Sequence, residues 1–415
     1  MKRKIRSIQD VAERQLCTGC GICSFTQPEL IQMVDAAEGR RPLVKEGGGD
    51  TSPSLAVCPG VGLSHGADPD GAIEELRRDW GPVLAVWEGY AADPEIRFAG
   101  SSGGAATALA LHELERRAAH GVLHIQARED RPLLNETVLS RDRAALLAAT
   151  GSRYAPASPC DRLDLIVDAP EPCVFIGKPC DVAAVSNQRG RDPGLDAKLQ
   201  LTIAIFCAGT PSLRGSYEML KQMGIDDPMM VKSVRYRGNG WPGEAEAIVE
   251  TPQGDTTHRL TYAESWGQTL QKHRQWRCYV CADHTGEFAD IAVGDPWYRE
   301  IEPGEAGHSL LLARTERGRQ AVEAAIAAGY LHAEPVASAL VPASQPGLTK
   351  VRGAVWGRIA ASRVLGIPAP RYSGLPTFPA WLRLPWREKL RSTVGLARRS
   401  QRKQLYQRHP VRPTD

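Results

Sequence analysis

Between about residue 80 and residue 340 two hydrophobic patterns alternate along the chain. Short apolar runs at 83–90, 123–127, 173–177 and 201–206 have strand length. Residues 105–119 instead carry apolar side chains at helical spacing, and a second helix is predicted over 141–149 with Ser140 placed to cap its start. Strands alternating with helices predict an α/β (mixed α+β) core. From 231 to about 260 the pattern changes to period two, broken by Gly, Pro and Asn, which predicts an antiparallel β insertion. Residues 1–65 are rich in Cys and Gly and show no such period, as expected of a small domain organised by ligands. The chain therefore divides into 1–65, 80–340 and a Pro/Arg/Trp-rich tail over 341–415.

Composition narrows this picture. The chain has 415 residues, enough for two or three domains, and its 42% apolar and 24% charged residues exclude wholesale disorder. The net charge of +3 hides an asymmetry: from Lys350 onward fifteen Lys/Arg stand against two acids, or +13, which leaves −10 for the body. The charged start, Met-Lys-Arg-Lys-Ile-Arg, is followed by no apolar stretch of the secretory kind, and no run approaches a membrane span. A cytoplasmic protein is expected. In that setting the ten cysteines read as ligands or redox groups rather than disulfides.

Cys17-Thr-Gly-Cys20-Gly-Ile-Cys23 is a C-x2-C-x2-C run, with Cys58-Pro59 following at a distance. Three thiolates from one tight loop plus a distant Cys-Pro is the arrangement that holds a 4Fe–4S cluster, although a bacterial ferredoxin places its fourth cysteine much sooner. A zinc site is the alternative, and it normally uses paired C-x2-C units. Cys180 and Cys207 close two predicted strands, and Cys278 and Cys281 form a further C-x2-C. Spacing alone leaves a second cluster, a zinc site and unrelated core thiols all open for these four. Cys173 reads as core. Cys160, in a Pro-flanked loop, has only a weak redox reading.

Gly100-Ser-Ser-Gly-Gly104 opens the predicted helix at 105. Its backbone N–H groups, with the hydroxyls of Ser101, Ser102 and Thr107, make a phosphate or pyrophosphate cradle, and a plain capping turn is the simpler reading. The same residues satisfy G-x-S-x-G, but neither an apolar strand before Ser102 nor an evident His partner supports a hydrolase elbow. No G-x-G-x-x-G fingerprint for a nicotinamide cofactor occurs. Gly151-Ser-Arg-Tyr154, Arg235-Tyr-Arg-Gly-Asn-Gly-Trp241 and the strand ending at Asp295 are further polar clusters of site-loop character.

Taken in order, Cys-Thr-Gly-Cys-Gly-Ile-Cys, Ser-Ser-Gly-Gly, Gly-Ser-Arg-Tyr, Phe-Ile-Gly-Lys-Pro-Cys, Phe-Cys-Ala-Gly, Arg-Gly-Asn-Gly-Trp, Cys-Tyr-Val-Cys and Asp-Ile-Ala-Val-Gly-Asp form a recognisable series over roughly residues 10–335. The chain resembles the coenzyme F420 hydrogenase/dehydrogenase beta-subunit family, which also contains 7-hydroxymethyl chlorophyll a reductases of plant type. The resemblance implies a flavoprotein with FAD and two 4Fe–4S clusters, the N-terminal one in a ferredoxin-like segment and the second on Cys180, Cys207, Cys278 and Cys281. It implies that Ser101, Ser102, Gly103, Gly104, Thr107, Gly151, Ser152, Tyr154, Lys178, Arg237, Asn239, Gly240 and Trp241 line FAD and its partner. On that basis Lys178 and Arg237 are expected to stabilise reduced, anionic flavin, and Asp295 to serve as proton donor.

The resemblance leaves the substrate open. Some members of the family use the deazaflavin F420, and others belong with cell-envelope polysaccharide genes. A small-molecule substrate is expected, with ferredoxin or another oxidoreductase subunit as redox partner. The alternatives are a non-catalytic electron-transfer subunit and a zinc-stabilised interaction protein. For the basic tail, with Trp381, Leu382, Trp386 and Leu390 among its cations, the readings are a solvated tail, one packed on the acidic body, or a peripheral membrane contact. Nucleic-acid binding has the right charge sign but no fold motif, and is not expected.

Overall fold

Three of the predicted apolar runs and the strand leading to Asp295 lie side by side as parallel strands, and this defines the molecule. In the computed structural model, which describes residues 4–66, 68–302 and 304–414, the strands Val122–Ala127, Cys173–Gly177, Leu199–Ile205 and Ile291–Gly294 form the parallel centre of an eight-stranded sheet. Asn135–Ser140 extends one side antiparallel; Ser309–Ala313, Ala85–Ala91 and Leu331–Pro335 extend the other.

Successive residues of these strands point to opposite faces. Leu123, Phe175, Ala204, Ala292, Leu310 and Leu312 pack with the helix Pro179–Arg189 on one face. Val122, Val174, Ile203, Val293 and Leu311 pack with the helices Ala105–Arg116 and Glu316–Ala327 on the other. Both faces being covered explains why the central strands read as continuous apolar runs. Asp290 ties the layers together: Thr202 donates to it through its backbone N–H at 2.9 Å and its hydroxyl at 2.8 Å, and the Thr315 hydroxyl at 2.7 Å.

The antiparallel insertion is present as three strands, Val231–Arg235, Ala245–Thr251 and Gly254–Leu260. The helix expected over 141–149 forms as Arg143–Ala148, but Asp142 caps it, accepting from Ala145 N at 2.9 Å. Ser140 ends a strand, Asn135–Ser140, that the sequence pattern did not predict because its burial does not alternate cleanly.

Tail and N-terminal segment are packed together. The tail forms the helices Pro346–Val364, Thr377–Leu382, Trp386–Thr393 and Gly395–Arg402, and its strand Arg371–Ser373 pairs in parallel with Gly62–Ser64. Val355, Ile359 and Leu396 share one core cluster with Val11, Leu16, Cys17, Trp276 and Val280. Of the three readings of the tail, packing on the acidic body describes it for much of its length: Arg408 pairs with Asp10 and Glu13, Arg383 with Asp79, and Arg352 with Glu287.

Glu287 is the buried anchor of that junction. It accepts from Arg352 and lies 2.9 Å from His65 Nε2. Burial opposes its charge, yet Arg352, His65 and Arg314 hold its pKa down at about 2. Glu287→Gln leaves buried Arg352 and Arg314 short of their counter-charge, so unfolding free energy is expected to fall by ~3–5 kcal/mol, read as a lower thermal midpoint. Because the folded pKa is depressed, the carboxylate's contribution is complete above its ordinary value of 4.5 and is lost as pH falls towards about 2. The gap between wild type and variant is therefore widest at neutral pH and closes in acid.

Candidate functional site

Parallel strands bring all their C-terminal ends to one edge of a sheet, where ligands of open α/β folds bind. At that edge lies a cavity of about 320 Å³. Lys178, Cys207 and Asp295, which closely follow three of the four parallel strands, all line it, as do His124 and Ile125 of the fourth.

One wall is the loop before the helix Ala105–Arg116. Gly103 and Gly104 both take positive φ, +65° and +71°, so the chain turns sharply into the helix, and a Cβ on Gly104 would lie 2.5 Å from Ile96 O. Ser101 joins three loops, accepting from Ser152 N at 2.7 Å and donating to Arg237 O at 3.1 Å. The Ser102 hydroxyl donates to the backbone carbonyls of Gly294 and His308, which leaves it no resemblance to a nucleophile paired with a base.

The opposite wall is a cation set in aromatics. Arg237 is 3% exposed and makes a two-pronged pair with Asp295, one contact at 2.9 Å, and Trp241 Nε1 donates to the same carboxylate at 2.9 Å. Burial works against the guanidinium's charge, but Asp295 outweighs it and its pKa is raised. The guanidinium carbon lies 4.9 Å from the ring centre of Tyr262 and 5.3 Å from that of Trp297, and Trp297 stacks between Tyr262 and Trp241. Tyr154 and Trp266 extend the wall at 4.9 Å. A flat, anionic ring system is the ligand such a surface favours.

Lys178 stands at the floor. Its ammonium lies 2.6 Å from Asp181 Oδ1, and Asp181 Oδ2 accepts from Lys178 N at 3.2 Å, closing the first turn of the helix Pro179–Arg189. Burial opposes the lysine's charge; Asp181 and the neighbouring Cys180 and Cys20 more than reverse this and keep it protonated. Cys17, Cys160 and Cys207 also feel its charge. One ammonium at the cavity thus bears electrostatically on cysteines of both sets.

Cys17, Cys20, Cys23 and Cys58 are brought together as electrostatic neighbours, and so are Cys180, Cys207, Cys278 and Cys281. Burial first, then mutual repulsion, pushes the thiols of Cys23 and Cys58 up, and burial with the neighbouring charges puts Cys207 at about 12 and Cys281 at about 11. Backbone N–H groups nevertheless point at sulfur: Gly19 at Cys17 (3.3 Å), Gly209 at Cys207 (3.4 Å) and Thr210 at Cys278 (3.3 Å). Among the described residues no three His, Cys, Asp or Glu side chains converge tightly enough for a single ion. Arg277 lies between the sets. It is 2% exposed, donates to Pro59 O at 2.8 Å, counts Cys281, Cys180 and Cys278 among its electrostatic neighbours, and keeps two further N–H donors unpartnered.

Several expectations change. Gly103, Asn239, Gly240 and Trp241 do not line the cavity: Gly103 is spent on the turn, Asn239 is exposed, and Trp241 stands behind Asp295. Both oxygens of Asp295 are occupied by Arg237 and Trp241, so it clamps Arg237 rather than standing free to deliver a proton. Cys160 gains weight, since its N–H donates to Cys20 O at 2.9 Å and its thiol lowers the pKa of Cys20. Cys173 is core. Tyr262, Trp266, Trp297, Asp181 and the tail residue Gln345 line the cavity without having been singled out as site residues. Only Trp297, two residues beyond Asp295, had a signal in the sequence.

No curated protein matches the chain. Among solved structures, a chain of the F420-reducing [NiFe] hydrogenase complex from Methanosarcina barkeri matches with a TM-score of 0.50, over 67% of this chain and 93% of that one, at 22% identity; this is a likeness of fold. Residues 86–163 match the family model for the N-terminal part of the coenzyme F420 hydrogenase/dehydrogenase beta subunit, and residues 171–339 match that for its C-terminal part. With both parts present and in order, the chain belongs to the coenzyme F420 hydrogenase/dehydrogenase beta-subunit family.

Proposed function

We propose that this oxidoreductase-family chain works with FAD in the sheet-edge cavity and a 4Fe–4S cluster on each cysteine quartet, passing electrons between them and a small-molecule or deazaflavin substrate. The observation that carries this reading is Lys178: it lines the cavity, and its charge reaches Cys17 and Cys20 of one quartet and Cys180 and Cys207 of the other. Cys207 itself lines the cavity, so the second quartet adjoins the ligand space.

The donors fit these groups. Four grouped thiols with N–H groups aimed at sulfur suit a cluster, and Arg277 supplies a buried positive charge with donors to spare. Bound there, FAD supplies two-electron exchange with a substrate, and the clusters supply single-electron transfer. Ser101 holds the 100–104 and 151–154 loops in register for the cofactor's phosphates. Lys178 and Arg237 oppose negative charge on its ring, Asp295 fixes Arg237, and the aromatic wall excludes water from the ring face. The matched chain comes from a hydrogenase complex, so an electron-input role beside a partner subunit is the second reading.

Anaerobic purification should yield a brown protein with one flavin and about eight irons per chain, from two clusters of four. Cys278→Ser with Cys281→Ser should remove about half the iron and leave the N-terminal cluster. A colourless, zinc-containing protein refutes the reading. Lys178→Met is expected to lower the two-electron potential of bound flavin by about 30 mV or more, tenfold in the equilibrium. Lys178→Arg should restore most of it, and unchanged potentials in both variants would remove Lys178 from the flavin's surroundings.

A further inference from the structure

The C-terminal helices carry a row of apolar side chains that the fold leaves largely exposed, Phe378 alone resting on Trp356 at 4.8 Å. Phe378, Leu382, Trp386, Leu390 and Val394 recur at every fourth position and are 44%, 50%, 66%, 52% and 66% exposed. On the helix Trp386–Thr393 this spacing makes one stripe, since residues four apart share a helix face. The inward side is already satisfied: Leu384, Ser392, Leu396 and Ser400 are buried, and Trp381 Nε1 donates to Ser392 Oγ at 3.1 Å. The stripe lies in a dense field of cations. Residues 377–403 hold eight Lys/Arg and one acid, Glu388, a net +7. Arg387 lies over the Trp386 ring and Lys389 over the Trp381 ring, both at 5.5 Å, as cations do beside interfacial tryptophans.

We propose that this face docks the protein on an anionic lipid bilayer. Short amphipathic helices with Trp, Leu and Phe projecting and Arg/Lys around them bind in the headgroup region through apolar insertion and attraction to acidic lipid together. Each feature excludes a rival occupant. Nucleic acid would engage the cations but leave the aliphatic row idle. A second copy of the chain would set one basic face, with Arg387, Arg391 and Arg398 exposed, against another. The mode is peripheral, because no helix among the described residues is long and apolar enough to cross a membrane. The segment also lies outside both matched family regions, which end at residue 339. Docking has a consequence for the redox groups: Arg399 packs over Tyr279 at 4.8 Å and Lys403 donates to Arg274 O at 3.1 Å, so the same helices cover the Cys278–Cys281 loop and bring it to the membrane side. The docking itself does not depend on which cofactors the cysteines hold.

Co-sedimentation of the full-length protein, purified anaerobically, with phosphatidylcholine vesicles and with vesicles containing about one-third phosphatidylglycerol tests the proposal. Partition onto the anionic vesicles should be at least about tenfold stronger and should collapse in high salt as the charges are screened. Trp386→Ser with Leu390→Ser should reduce it about tenfold at unchanged thermal midpoint and metal content; so, independently, should Arg387→Gln with Arg391→Gln and Arg398→Gln. Equal or absent partition onto the two vesicle types overturns the proposal, as does wild-type partition by both variants. A lipid-independent dimer in sedimentation velocity, lost in the Trp386/Leu390 variant and without vesicle binding, would assign the face to a second copy instead and equally overturn it.

Discussion

The buried pair of Lys178 and Asp181 is the constraint around which the rest is arranged. Two charges removed from water are costly unless each finds its partner and its remaining hydrogen bonds. Here the helix Pro179–Arg189 supplies them, with Asp181 accepting from the lysine's ammonium and its backbone N–H at once. Pro179, in the first turn, lacks the N–H that a helix start leaves unused anyway. This turn carries Cys180, accepts from the Cys160 thiol at the Asp181 carbonyl (3.5 Å), and lines the cavity with Lys178 and Asp181. Eight thiols gathered in two buried groups would otherwise repel as they ionise; Lys178, Arg277 and Arg41 are the charges that oppose this.

Much of the fold was legible because parallel strands covered on both faces leave uninterrupted apolar runs. The strand at 173–177 and the helix beginning at 105 fall where the pattern places them. The strand Asn135–Ser140 was not legible: it lies at the sheet edge, where one-sided pairing relaxes the apolar requirement. The site divides in the same way. Three cysteines in one tight loop are visible as spacing, whereas Cys180, Cys207, Cys278 and Cys281 meet only because two parallel strands and a distant loop end at one sheet edge. Tyr262, Trp266 and Trp297 were hidden for a related reason. They follow the antiparallel insertion and the last parallel strand, and face one cavity only in three dimensions.

The ends of the chain change most between pattern and structure. The N-terminal cysteine segment and the tail read as separate lengths, one without a periodic apolar pattern and the other strongly basic. Val11, Leu16 and Leu63 of the first and Val355, Ile359 and Leu396 of the second share one cluster with the 276–282 segment, while Ile22 and Val57 join the sheet core. Glu287, Asp79 and the Asp10/Glu13 pair take up part of the tail's charge. Of the rest, Arg387, Arg391 and Arg398 are exposed on the helices that carry the apolar row. The tail also reaches the cavity: Gln345 Nε2 donates to Asp295 O at 2.9 Å, so the same segment that covers the second quartet steadies the loop that clamps Arg237.

The central claim is that both quartets and the cavity form one contiguous redox path, with Lys178 and Arg277 between its parts. Electron paramagnetic resonance of the anaerobically prepared, dithionite-reduced protein tests it most directly. The account predicts two cluster signals per chain, broadened by magnetic coupling to each other, the coupling lost when Cys278 and Cys281 are replaced by serine. A single cluster signal, or two that show no mutual coupling in the intact protein, would contradict it.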